Sequence, residues 1–177
     1  MTSLPPEIVV RPAGPADIPA LDGLLDRSST ETRYRRFHGG AERAHRRELE
    51  RLARPGAGHR SWVAVGSDGA VHGTATIAWG DGGTADVALL VEDACFRRGV
   101  GRALAAAVGA EAVTTRTPAV VATVLAENER ALRFLRAVAP GAHPRHVGGP
   151  ELEITIPVPL AEAIRLPGVA AATVEAA

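Results

Sequence analysis

The sequence contains no lysine, so all 20 of its Lys and Arg positions are arginine. Set beside its many alanines, glycines and prolines, this reads as coding bias rather than a functional choice, and it leaves the protein no lysine side chain of its own to modify. Cys95 is the only cysteine, which excludes an intramolecular disulfide and fits a reducing compartment. The N-terminal MTSLPPEIVV has neither a basic start nor a long apolar core, against a signal peptide. No apolar run approaches the length of a membrane span. An excess of charge is missing too: the formal net charge of +0 offers no global field for nucleic acid. A cytoplasmic protein with neither a nucleic-acid nor a membrane partner is expected.

What is present suits an ordinary globular chain. Its 177 residues, 46% hydrophobic and 23% charged, suffice for one domain with a sizeable core, and no repeat or linker divides them. The expectation is a single domain over residues 1–157. A tail over 158–177 would form a short helix around LAEAIRL and then fray.

EIVVRPA is a short apolar run stopped by Pro12 and Gly14 and predicts a first strand. In PADIPALDGLLDRSS, Ile18, Leu21, Leu24 and Leu25 recur at helical spacing. SSTETRYRRFHG starts a second helix, with Ser28 and Glu31 in a capping box and Tyr34 and Phe37 on one face. AERAHRRELERLAR continues as a charged helix ended by Pro55 and Gly56. SWVAVG, the turn SDGA and VHGTATIAWG read as an antiparallel hairpin, and TADVALLV as a buried strand. A helix follows over GVGRALAAAVGAEAV, with Val100, Leu104 and Val108 four apart. Then come the strand AVVATVLA, a helix led by Asn128, a Gly/Pro/His-rich connection and the strand ELEITIPV. This order predicts a mixed α/β (α+β) sheet rather than a doubly wound one.

VEDACFRRGVGRAL, residues 91–104, carries the chemistry. A glycine turn opening a helix can hold a phosphate on main-chain N–H groups, and Gly99 and Gly101 clear the approach while Arg97, Arg98 and Arg102 add charge. A P-loop requires a lysine, which the chain lacks, and seven residues between Val91 and Gly99 are too many for a dinucleotide-binding turn. A plain helix start is the alternative.

The segment resembles the pyrophosphate-binding pattern of the GNAT superfamily of N-acetyltransferases: Gln or Arg, two residues, Gly, one residue, then Gly or Ala. VRPAGPAD is similar to that family's first strand and helix start, and LAENERALRFLRAV to its later strand and Asn-led helix. The resemblance covers about residues 8–157 and implies a mixed, mostly antiparallel central sheet of six to seven strands flanked by helices, with acetyl-CoA as co-substrate. It implies cofactor contacts from Leu89, Leu90 and Val91 to the pantetheine arm and from Arg97, Arg98, Gly99, Val100, Gly101 and Arg102 to the pyrophosphate. Asn128 would lie near the cofactor, a role compatible with a plain helix cap. Phe96 departs from the pattern, standing where Gln or Arg is usual.

Acyl transfer needs a neutral amine, yet only about one lysine side chain in a few thousand is neutral at pH 7. A general base is therefore expected, and Asp86 is the candidate, sharing a strand face with Ala88 and Leu90. Bacterial protein-lysine acetyltransferases of the family, to which the chain is most similar, often have Glu in an AEVA-like stretch here, so Asp86 acts directly or through water. A solvated residue at a strand start is the alternative, and Glu92 and Glu127 are weaker candidates. SSTETRYRRF resembles an S-P-E-S-R-Y-x-R-F-F segment of the same proteins, which implies that Glu31, Arg33 and Tyr34 touch the acceptor. A capped amphipathic helix explains them equally. Leu135 stands where many members have a tyrosine that protonates the departing thiolate.

Cys95 reads as a packing residue, and His143 and His146, without a third ligand nearby, imply no metal. The functions in view are an N-acetyltransferase for a protein lysine, one for a small amine (antibiotic, polyamine or amino-acid-like), and a non-catalytic acyl-CoA-binding module. The apolar C-terminal strand suggests, by analogy, a homodimer.

Overall fold

A computed structural model describes residues 8–158 except 57, 81 and 141. Seven strands form one sheet: β1 (Val9–Pro12), β2 (His59–Val65), β3 (Val71–Trp79), β4 (Ala85–Val91), β5 (Ala119–Leu125), β6 (His143–Gly148) and β7 (Glu151–Pro157). Their order is β1-β2-β3-β4-β5-β7-β6, antiparallel except between β4 and β5. The β2–β3 hairpin closes where the Asp68 carboxylate accepts the Ala70 N–H at 3.0 Å and Gly69 takes φ +76. Five helices complete the fold: α1 (Ile18–Arg27), α2 (Thr30–Phe37), α3 (Glu42–Ala53), α4 (Val100–Thr114) and α5 (Glu129–Val138). Among the described residues no helix is long and apolar enough to cross a membrane.

Strand alternation divides the apolar residues between two cores. On one face Ala75, Ile77, Val120, Val124, Ile154 and Ile156 pack with Val100, Leu104 and Val108 of α4. On the other, Leu21, Leu24 and Leu25 of α1 and Leu49 of α3 cover Val63, Val71 and Leu90. Each fully buried Leu or Val contributes about 1.5–3 kcal/mol. Gly73 lets β3 approach both β4 and α4, because a Cβ there would meet the Leu90 carbonyl at 2.9 Å and Leu104 at 3.0 Å.

The hairpin, the helix repeats and the Pro55–Gly56 stop match the sequence expectations. Several others are corrected. Ser29, not Ser28, caps α2, accepting the Thr32 N–H at 3.1 Å; the Ser28 hydroxyl instead donates to the Leu24 carbonyl at the end of α1. The Gly/Pro/His-rich connection contains the edge strand β6, whose six exposed residues give no apolar alternation to read. In β4 only Ala85 and Leu90 are buried. The C-terminal strand β7 lies between β5 and β6, so it has no free edge for a dimer; β6 is the edge. The tail helix around LAEAIRL lies outside the described residues.

Candidate functional site

β4 and β5 pair only at Ala85 with Val120 and Asp86 with Val121. Beyond Asp86 the two strands diverge, which leaves the main chain of Leu89, Leu90 and Val91 without a β5 partner and explains why the middle of β4 is partly open. The chain then makes a one-turn 3-10 helix (Asp93–Cys95) and passes through left-handed Arg97 (φ 62) and Gly99 (φ 84) before α4 begins. The first bond into α4 runs from the Ala103 N–H to the Gly99 carbonyl at 3.0 Å. The N–H groups of Val100, Gly101 and Arg102 precede it and have no helical acceptor, so they form a main-chain anion cradle.

A cavity of about 780 Å³ opens on this cradle. It is lined by Leu89, Leu90, Val91, Cys95, Phe96, Arg97, Gly99, Gly101 and Arg102, by Asn128, Arg130, Ala131, Arg133 and Phe134 of the α5 side, and by Thr32, Arg35 and Arg36 of α2. Six of these are arginines and none is a carboxylate, although the whole chain is electrically balanced. Arg97, Arg102 and Arg130 have no carboxylate partner among the described residues. Such a cavity fits a ligand bearing several phosphates, and the residues present suit coenzyme A.

The structure gathers most of the expected cofactor residues here. Arg98 is the exception, exposed outside the lining; the Val100 side chain is buried in the core at 2% exposure, so only its N–H belongs to the cradle. Asn128 is buried, and its side chain caps α5 by accepting the Ala131 N–H at 3.1 Å. Leu135 packs against the larger core and offers no proton.

Glu31, Arg33 and Tyr34 of α2, expected at the acceptor, lie outside this cavity. Glu31 is paired with Arg35, Arg33 donates to the carbonyls of Leu25 (2.9 Å) and Ser28 (2.6 Å), and Tyr34 is 45% exposed outside the lining. Thr32, Arg35 and Arg36 line it instead. Arg36 is the most deeply placed: its guanidinium lies over the Phe37 ring at 4.7 Å, its Nε has no partner among the described residues, and burial lowers its pKa. Helical spacing alone, three and four positions from Thr32, could have singled out this face.

Behind the loop lies a closed polar network. Glu92 Oε2 accepts Arg27 Nε at 2.6 Å, and Oε1 meets His72 Nδ1 at 2.8 Å and the Cys95 thiol at 3.4 Å. His72 Nε2 faces Asp68 Oδ1 at 3.2 Å. Burial raises the Glu92 pKa, but the bonds from Arg27, His72 and Cys95 outweigh it, so the carboxyl lies below the usual carboxylate range. Burial and the neighbouring Glu92 push the Cys95 thiol up to about 11, so it stays protonated, as a packing residue would. Glu92 is thus fully engaged in holding the loop. Next to it, Asp93 accepts the Ser29 N–H (2.8 Å) and the hydroxyls of Ser29 (2.9 Å) and Thr32 (2.8 Å), tying α2 to the loop.

Asp86 lies at the crotch of the fork, exposed and outside the cavity lining. By register it shares its sheet face with Ala88 and Leu90, with Val121 and Thr123 of β5, and with Glu151, Glu153 and Thr155 of β7. His38, at the end of α2, bonds Glu151 at 2.7 Å across this side. His143 and His146, three apart on a strand, point to opposite faces and cannot share an ion.

Comparisons with known proteins agree with this geometry. Residues 25–138 match the model of the Acetyltransferase (GNAT) family. Among solved structures the chain is similar to the GNAT domain of S. lividans PAT, at 24% identity and TM-score 0.73 over 84% of this chain and 89% of that one. It is also similar to the PaiA N-acetyltransferase of Thermoplasma acidophilum in complex with coenzyme A, at 12% identity and TM-score 0.69 over 85% and 99%. A third is the ribosomal-protein-S18-alanine N-acetyltransferase of Escherichia coli, at 14% identity and TM-score 0.66 over 86% and 94%. No curated protein matches the sequence closely enough to count as a relative. A single parallel pair that forks above a glycine-turned helix start, in a chain whose sequence matches over the same elements, makes this protein a member of the GNAT family of acetyltransferases.

Proposed function

We propose that this protein, as one domain over residues 1–157, transfers an acetyl group from acetyl-CoA directly to a primary amine, a lysine of another protein ahead of a small molecule. The observation that carries the reading is the fork itself: the last residue of β4 paired with β5 before the strands part is an exposed carboxylate, Asp86, on a polar sheet face. On that face Thr123 and Thr155 are exposed and Glu151 and Glu153 half-buried. An open surface suits a side chain presented by a macromolecule; Glu151 is bonded to His38 and Glu153 to Arg145, each at 2.7 Å, which leaves Asp86 as the carboxylate on this face without a cationic partner among the described residues. A small cationic amine drawn to Asp86 is the second reading.

In this reading the cradle of Val100, Gly101 and Arg102 N–H groups holds the phosphates, with Arg97 and Arg102 adding charge. The free main chain of Leu89 to Val91 aligns the pantetheine arm. Bound acetyl-CoA supplies the thioester, at whose carbonyl carbon the amine nitrogen forms a C–N bond as the C–S bond breaks. Asp86 takes the proton from the ammonium, directly or through one water, and so frees the lone pair. Because Leu135 carries no proton, solvent protonates the departing thiolate.

Release of CoA thiol tests this, with acetyl-CoA offered to lysine-containing proteins and to small amines. Turnover on a protein acceptor that falls about 10²- to 10⁴-fold in Asp86→Asn supports the reading and the base together. Turnover on small amines alone moves the assignment to the second reading. Acetyl-CoA binding without turnover on any acceptor favours a non-catalytic binding module.

A further inference from the structure

Phe96 stands where the family pattern has Gln or Arg, so the loop begins without its usual polar side chain. An arginine of another element stands against it. The Arg130 guanidinium, in the first turn of α5, lies over the Phe96 ring with its carbon 3.9 Å from the centroid. Both side chains line the cavity. Arg130 is exposed and has no carboxylate partner among the described residues, whereas Arg133, one turn on, is held by Glu129 at 2.9 Å.

An exposed arginine samples many rotamers, and fixing one of them to grip an anion is entropically unfavourable. An aromatic face beneath the guanidinium reduces that penalty while leaving its edge N–H groups free to donate. The Phe96 side chain cannot bond a phosphate itself, but it orders one that can.

We infer that Phe96 is a positioning residue that holds Arg130 against a phosphate group of coenzyme A, so that the charge usually supplied by the loop comes from α5. The inference rests on the cofactor site proposed above. Pyrophosphate and 3′-phosphate offer the same chemistry to a guanidinium.

Titration calorimetry with CoA, 3′-dephospho-CoA and phosphate-free S-acetylpantetheine tests it. Arg130→Ala is expected to weaken CoA about 10- to 100-fold, the worth of charge-assisted hydrogen bonds, and to leave S-acetylpantetheine unchanged. Phe96→Leu, which keeps the apolar bulk, is expected to weaken CoA about 2- to 30-fold, Phe96→Trp to preserve affinity, and the Phe96→Leu/Arg130→Ala pair to lose no more than Arg130→Ala alone. A loss that persists with 3′-dephospho-CoA assigns the contact to the pyrophosphate; one that vanishes assigns it to the 3′-phosphate. Unchanged CoA affinity in Arg130→Ala, an equal loss with S-acetylpantetheine, or additive effects of the two substitutions would overturn the inference. A wild-type protein that binds no CoA would refute the cofactor site itself, whereas wild-type binding with unaffected variants refutes only the role of Phe96 and Arg130.

Discussion

Helix α4 buries Val100, Leu104, Val108, Gly109 and Ala112, whereas α2, which lines the same cavity, buries no residue at all. The cofactor wall is anchored in the main core and backed by the Glu92 network. The facing wall is held by caps and surface contacts: Asp93 on Ser29 and Thr32, Arg33 on the end of α1, His38 on Glu151. Burial makes the first wall expensive to change, and polar surface contacts make the second cheap.

The largest effect on stability is expected from Glu92→Ala, which strands buried His72 and removes the carboxylate partner of exposed Arg27. A loss of about 2–4 kcal/mol in urea unfolding is expected; less than about 1 kcal/mol would break the contrast between the walls. Acid should act on the same wall. Burial raises the Asp93 pKa, but the Ser29 N–H and the Thr32 and Ser29 hydroxyls outweigh it, so Asp93, like Glu92, lies below the usual carboxylate range when folded. Their stabilisation is present above the unfolded pKa, about 4, and is lost as pH falls through the folded values. Unfolding free energy measured from pH 6 to pH 3 should fall, and fall less steeply in Glu92→Ala. Ser29→Ala removes the α2 cap and should lower stability by about 1 kcal/mol. Glu151→Ala, which frees a partly exposed His38, should lie within about 1 kcal/mol of wild type, a difference read from urea midpoints.

The same contrast governs what the sequence discloses. Gly99 and Gly101 at the start of an alanine-rich helix are legible because the left-handed φ at Gly99 and the core spacing of Val100, Leu104 and Val108 restrict which residues fit. On α2, where no residue is fully buried and only Arg36 and Phe37 are turned inward, burial disciplines little of the pattern. Ser28 and Ser29 look alike as caps, and Glu31, Arg33 and Tyr34 present themselves as readily as Thr32, Arg35 and Arg36. Strand β6 escapes because none of its residues is buried. The Phe96–Arg130 contact joins positions from separate elements, and only the fold brings them together.

Consider last the two-residue pairing of β4 with β5. A sheet interrupted there has unfinished hydrogen bonding at its centre, and in the function proposed above a ligand arm bonded to Leu89, Leu90 and Val91 would take the place of missing backbone. Folding free energy then depends on the ligand's concentration: at about 100 times its dissociation constant the gain is about 2.7 kcal/mol. The abundance of the protein in a cell would then follow the supply of its acyl donor, so that scarcity of the donor shortens the protein's lifetime as well as slowing its turnover.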